Sequence, residues 1–345
     1  MGNIKIFRWS FMALLAALAF NFRYIFLDFF TGVEYARASF YTSDVLLMIF
    51  LLSGIALVLE RWTTRDLFAV ERYKWLFITL AIFFMFGTLS LIHASSLWLG
   101  LYTLLRIGAL IFMTLLIAYS IRRKIILLRE ICIIFVSLAV VQSLIGFLQF
   151  STQSDLGLRY FGESLLSVNT PGVAKIVYAG MTFIRAYGTF PHPNVLGAFL
   201  VIGLLATLSL LLRNTIRQSA ERIYEMIMYT SSIFIITLGI LLSFSRAAWV
   251  VFGLITLFFV YKSIKCLLCS DRNITDILIF FTSIILCSIV VQVIIFWPFI
   301  ASRFAIRVGD AAVSERVTYA RIAFDEIRER PLLGVGIGNH VIHGI

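Results

Sequence analysis

The sequence predicts an all-α polytopic membrane protein with about nine transmembrane helices and two long external segments. Three observations carry that prediction. Of its 345 residues, 61% are hydrophobic and 14% are charged. The mean hydropathy is +0.99, beyond what a soluble domain of this length shows. The apolar residues also run continuously instead of alternating, which favours helices over a barrel.

A window of about 19 residues gives spans at 9–30, 44–59, 75–92, 97–119, 130–150, 195–212, 226–244, 247–264 and 277–301. The first is interrupted by Asn21, Arg23 and Asp28, and the second is short. With a cytoplasmic N-terminus, inside segments hold Lys5 and Arg8; Arg61, Arg65, Arg72 and Lys74; Arg122, Arg123, Lys124 and Arg129; Arg213, Arg217 and Arg222; and Lys262, Lys265 and Arg272. Short outside loops hold Arg37 and Arg246. This asymmetry follows the positive-inside rule. It also accounts for the net charge of +11 as anchoring at membrane lipids, with no nucleic acid as a partner.

The same alternation puts 151–194 and 302–345 outside. Within the first, the β-branched and aromatic run Val173 to Ile184 can form a short hairpin at Gly180. In the second, Val317, Ala320, Phe324 and Ile327 recur at helical spacing, with Ser314 as N-cap and Pro331 as stop. An amphipathic helix is expected there, on the outer surface or packed against the external loop. Four cysteines, Cys132, Cys266, Cys269 and Cys287, read as small apolar residues. No His/Cys/Asp/Glu set has metal spacing, and no cofactor is expected. The glycine run Gly334-Val-Gly336-Ile-Gly338 lacks the preceding strand of a dinucleotide loop.

The chemistry concentrates in Arg185-Ala-Tyr-Gly-Thr-Phe-Pro-His-Pro-Asn194. Asn194 is expected to cap the span that follows, with Pro193 blocking helix upstream. An arginine, His192 and a helix N-terminus would then share one face, which suits an anion and phosphate above all. Arg246, in Ser243-Phe-Ser-Arg-Ala, sits in the tight turn between the seventh and eighth spans, and Ser245 can cap the eighth helix. Two arginines and two helix starts would make a diphosphate clamp, since arginine offers forked bonds to phosphate oxygens. The alternative readings are that Arg185 pairs with lipid headgroups and that His192 serves only to fix a turn. Arg106, mid-span and costly there, reads either as a pair with Asp28 or Asp44 or as part of a transport pathway.

Three motifs in order, Arg185 to Asn194, Ser243-Phe-Ser-Arg246-Ala, and Glu315-Arg316 leading to Pro331-Leu-Leu-Gly-Val-Gly-Ile-Gly-Asn339, resemble the O-antigen ligase and Wzy-type polymerase superfamily of bacterial membrane proteins. The resemblance covers about 185–340 by motif and the whole chain by span pattern. It implies a metal-independent glycosyltransferase of the cytoplasmic membrane. Glycan would pass from an undecaprenyl diphosphate-linked donor to a hydroxyl on a glycan or lipid acceptor at the outer face. By the same resemblance Arg185 and Arg246 hold the diphosphate; His192, Asn194, Ser245 and Arg316 are read as supporting residues. The family's later His-Asn pair has no counterpart after Gly338, so the base is unassigned. His340 and His343 are its candidates, and the sequence is expected to be the front part of a longer one. The alternatives are a transporter or flippase for an anionic solute or lipid-linked sugar, or a catalytically silent envelope subunit.

Overall fold

A computed structural model describes residues 2–28, 37–61, 74–215, 222–269, 272–304, 311–340 and 342. The chain divides into two compact units, one of residues 1–14, 23–126 and 306–345, the other of 15–22 and 127–305. Eight helices among the described residues are long and apolar enough to cross a membrane. The chain is thus a multi-pass helical membrane protein.

In the first unit, α1 (Gly2–Ala19) contributes its N-terminal part and runs antiparallel to α2 (Thr42–Arg61). Asn3 donates to Glu60 at 3.0 Å, Ser10 and Ser53 share a hydrogen bond of 3.2 Å, and Phe7 and Phe11 flank the Phe50 ring. The expected first span at 9–30 is corrected here: the helix starts and stops earlier. Residues Arg23–Asp28 form β1, antiparallel to β2 (Arg37–Tyr41), with a bulge between Ile25 and Leu27. The aromatic and branched run Tyr-Ile-Phe-Leu favours that pleated pairing over another helical turn.

Helices α3 (Lys74–Ser90) and α4 (Leu97–Arg122) follow, joined by a short turn. Arg106 of α4 pairs with Asp44 at 3.0 Å and donates to the Tyr102 hydroxyl at 2.7 Å. Its guanidinium lies 5.1 Å from the Tyr41 ring centroid. Of the two carboxylates expected, Asp44 is the partner; Asp28 stands opposite Arg37 in the hairpin.

The amphipathic helix is α10 (Ala311–Glu329). It begins one residue triplet before Ser314, so Ser314 is not its cap: Ala311 and Ala312 are strong helix formers that carry the helix upstream. It stops before Pro331 as expected. Val317, Phe324 and Ile327 of its apolar face are exposed.

After α10 the chain turns back and latches onto the α3–α4 turn. Asn339, fully buried, accepts from Ser96 N–H at 2.7 Å through its Oδ1. Ile337 N–H donates to Ser90 Oγ at 3.0 Å, and Arg330 donates to the His93 carbonyl at 3.1 Å. Gly336 (φ +100°) would bring a Cβ to 2.7 Å from Ala94 Cα, and Gly338 (φ +74°) would drive one into Thr103. The glycine run is therefore a docking segment in which side chains are excluded by close backbone approach.

The second unit contains α5 (Leu128–Thr152), α6 (Pro193–Thr215), α7 (Arg222–Leu242), α8 (Arg246–Cys269) and α9 (Arg272–Phe304). Its core stacks Leu196, Leu200 and Leu204 of α6 against Ile233, Ile236 and Ile240 of α7. Small residues let the backbones approach: Gly203 of α6 faces Ala139 of α5, and Gly239 of α7 faces Ser143. Hydroxyls and one amide tie spans together, as expected where hydrocarbon supplies no hydrogen-bond partners. Gln292 donates to Thr237 and Ser288, both at 2.9 Å, and Ser263 and Thr282 share a bond of 2.9 Å. Between α5 and α6 lies the predicted hairpin, β3 (Lys175–Tyr178) and β4 (Met181–Ile184). Ala179 and Gly180 both have positive φ, +50° and +79°, the two-residue turn that matches strand twist.

Candidate functional site

The site is built where the strand β4 runs out beside the turn joining α7 to α8, all within the second unit. Ala186 N–H donates to the Leu242 carbonyl at 3.0 Å, which fixes the loop against the end of α7. Arg185, 4% exposed, then reaches across: its Nε donates to the Ser243 carbonyl at 2.8 Å and its Nη2 to Asn194 Oδ1 at 2.9 Å. One guanidinium thus clamps the Ser243 turn, the start of α6 and its own loop.

The loop itself is held by two buried glutamines of α5 that the sequence reading missed. Gln149 Oε1 accepts from Tyr187 N–H at 3.1 Å and Gly188 N–H at 2.8 Å. Its Nε2 donates to the Gly188 carbonyl and to Glu163, at 2.8 and 2.7 Å. Gln142 Oε1 accepts from Thr189 N–H at 2.9 Å, while its Nε2 donates to Thr189 Oγ1 and to the Ala19 carbonyl at the end of α1. Gly188 has φ +60°, and a Cβ there would collide with Gln142 Oε1. The available signal was two glutamines, seven residues apart, on one face of an otherwise apolar span: polar side chains in such a place need partners. The buried Glu163 also accepts from Leu156 and Leu158 N–H groups, closing the far side of the loop.

Two expectations about caps divide. Asn194 is not the N-cap of α6; the helix starts at Pro193, and His192 takes the cap position, its Nδ1 accepting from Asn194 N–H at 3.1 Å. The reason is Pro193, whose fixed φ suits the first helical residue and whose missing N–H is no loss there. This frees the Asn194 side chain to receive Arg185. It also means that the start of α6 is satisfied internally, with Val195 and Leu196 N–H groups donating to the His192 carbonyl. Ser245 does cap α8: its Oγ accepts from Ala248 N–H at 3.4 Å. That leaves the N–H groups of Arg246 and Ala247, which as in any first helical turn have no intrahelical acceptor.

Arg246 is the first residue of α8 and is half-buried. No hydrogen-bond acceptor among the described residues reaches its buried Nε. The turn that presents it is held in an unusual conformation: Phe244 has φ +46°, costly for a bulky residue. Its fully buried ring lies between Phe150 and Trp249, with centroids 5.8 and 5.9 Å away. Trp249 Nε1 donates to the Ile240 carbonyl at 3.1 Å, closing the turn. Gly197 of α6 admits it: a Cβ there would lie 2.9 Å from Ala248 Cβ. Around this spot Arg185 and Arg246 bring two permanent positive charges and one helix N-terminus to a single turn.

Tyr187, 3% exposed, accepts from Ala174 N–H at 2.6 Å. Burial pushes its phenol up from the ordinary value, against smaller lowering effects of that hydrogen bond and of Arg185.

The remaining predicted site residues belong to the first unit. His340 is exposed in the turn after Asn339. Arg316 lies in the first part of α10, with its side chain outside the described residues, and His343 is itself outside them. Among the described residues no cluster of His, Cys, Asp and Glu could hold a metal ion.

No curated protein and no solved structure matches the chain. Residues 231–344 do match a family model, one that takes in most of α7, then α8, α9, α10 and the docking turn, with Arg246 inside it and Arg185 outside. That family is Wzy_C, O-antigen ligase, and its match bears out the resemblance drawn from the motifs.

Proposed function

We propose that this protein transfers glycan from an undecaprenyl diphosphate-linked donor to a hydroxyl acceptor at the outer face of the bacterial cytoplasmic membrane, without a metal. Glycan transfer of the O-antigen ligase or polymerase type is what the family match implies in general. The finer reading rests on one observation: the buried, unsatisfied Nε of Arg246 at the start of α8. A buried donor without a partner is costly, about 1–3 kcal/mol, unless a ligand supplies the acceptor. An anion at a helix N-terminus next to a second guanidinium is the acceptor that the site's charge favours.

The reaction follows from that charge. The bond between the sugar's anomeric carbon and the diphosphate oxygen breaks, and the oxygen leaves with growing negative charge. Fixed cations stabilise that charge more in the transition state than in the bound donor, which is what accelerates a step. Arg246 is the residue that would touch the diphosphate, joined by Arg185, whose bonds to Ser243 and Asn194 also position the turn. His192 caps the helix that carries Asn194, Asn194 orients Arg185, and Ser245 orients α8. The acceptor hydroxyl attacks the anomeric carbon and gives its proton to a base. Arg106, the motive for a transport reading, is matched by Asp44, so that reading has no charge left to rest on.

The test is transfer in proteoliposomes supplied with lipid-linked glycan and acceptor. Arg246→Ala should lower the rate about 10²–10³-fold, the size typical of removing one charge-stabilising donor. Transfer at the wild-type rate would end this reading.

A further inference from the structure

The first unit holds a cleft of about 580 Å³ between α3 and α4, within the range of small-molecule sites. Its walls include Ile78, Ala81 and Phe84 from α3, and Gly108 and Phe112 from α4. Lys74 is the one charged group among its described lining residues. We propose that this cleft binds one acyl chain of an anionic phospholipid, with the lipid phosphate at Lys74.

Three features select that occupant. The first is length. From Lys74 to Phe84 the helix rises about 15 Å, half of the roughly 30 Å hydrocarbon core, so the cleft is one leaflet deep. Its inner end is shut at Gly108, where a Cβ would come 3.2 Å from the Phe84 ring. The second is charge. Lys74 opens α3 while Arg122, Arg123 and Lys124 end α4, and these antiparallel helices bring all four exposed cations to the same membrane edge. The Lys74 ammonium lies 5.4 Å from the Trp75 ring centroid, a pairing suited to the headgroup level. The third is polarity. A water-soluble anion would leave the apolar walls uncovered, and a neutral lipid would have no use for the cationic rim. A phosphate carrying a hydrocarbon chain meets both.

The experiment is native mass spectrometry of the detergent-purified protein after incubation with dioleoyl phosphatidylglycerol or dioleoyl phosphatidylcholine. Wild type is expected to retain the phosphatidylglycerol adduct at least ten times more than the phosphatidylcholine adduct. Lys74→Glu should abolish that preference. Ala81→Trp, at an exposed position of the cleft wall, should remove the adduct by filling the space. Lys262→Glu, an exposed basic residue of α8, serves as a charge control and should change nothing. Equal retention of the two lipids overturns the proposal, as does a phosphatidylglycerol adduct that survives both Lys74→Glu and Ala81→Trp. Displacement of phosphatidylglycerol by undecaprenyl phosphate at equal concentration would assign the cleft to a polyprenyl chain and overturn it too. Monodisperse elution of each variant by size exclusion keeps misfolding from passing as loss of the site.

Discussion

Arg185 and Arg246 sit at one turn, yet alanine at each should have opposite effects on stability. Arg185→Ala removes its hydrogen bonds to the Ser243 carbonyl and to Asn194 and strands the carbonyl of the fully buried Ser243. A buried acceptor without its donor costs about 1–3 kcal/mol, and bonds from a charged group are at the upper end. The sum is about 2–4 kcal/mol, a large share of the roughly 5–15 kcal/mol that holds a domain. Arg246→Ala removes a guanidinium whose Nε makes no bond within the described protein. Its stability should stay level or rise, because a desolvated, unmatched donor disappears. Thermal unfolding of the detergent-solubilised variants, followed by tryptophan fluorescence, measures both. A clear drop for Arg185→Ala beside an unchanged or raised midpoint for Arg246→Ala supports a ligand role for Arg246. If Arg246→Ala unfolds as early as Arg185→Ala, the unsatisfied Nε is not what it is taken to be, and the diphosphate argument loses its footing.

Four further outcomes are expected. Gln149→Leu should leave two N–H groups, one carbonyl and part of Glu163 without partners, costing about 3–5 kcal/mol; hydrogen exchange should quicken first at Tyr187 and Gly188. Asn339→Ala should release the docking turn from the α3–α4 turn, seen as new protease cleavage within 334–340. The contribution of Tyr187 to stability should be constant below about pH 10 and be lost above it, because the folded state holds that proton longer than the unfolded chain; Tyr187→Phe should make the alkaline fall in stability shallower. Transfer should continue in excess EDTA if arginines alone hold the diphosphate, and a chelator-dependent loss restored by magnesium would contradict the metal-free step.

The apolar spans were legible because hydrocarbon demands long unbroken runs, and from α2 onward the helices fall where those runs lie. The first span was misjudged because hydropathy cannot tell an apolar strand from an apolar helix: Tyr24 to Leu27 is as greasy as the helix before it. The cap of α6 was misplaced by two residues, since Asn is the commoner cap and the imidazole of His192 was read as chemistry. The pairing of Arg106 with Asp44 was legible as one of two options, because a mid-span charge is costly without its opposite. What sequence order could not reveal was the glutamine scaffold. Gln142 and Gln149 meet residues about 40–50 positions later in the chain, and nothing local to a span names its distant partner.

The end of α1 has a consequence for biogenesis. Its last carbonyl, at Ala19, accepts from Gln142 and from Thr189, which lies 170 residues downstream. At a synthesis rate of about 5–20 residues per second, some 10–35 s pass between the emergence of the helix and that of its final donor. Until then only Gln142, 123 residues downstream, can hold that carbonyl. The end of α1 is therefore locked in two steps, and a ribosome stalled before residue 189 would leave it with the first alone.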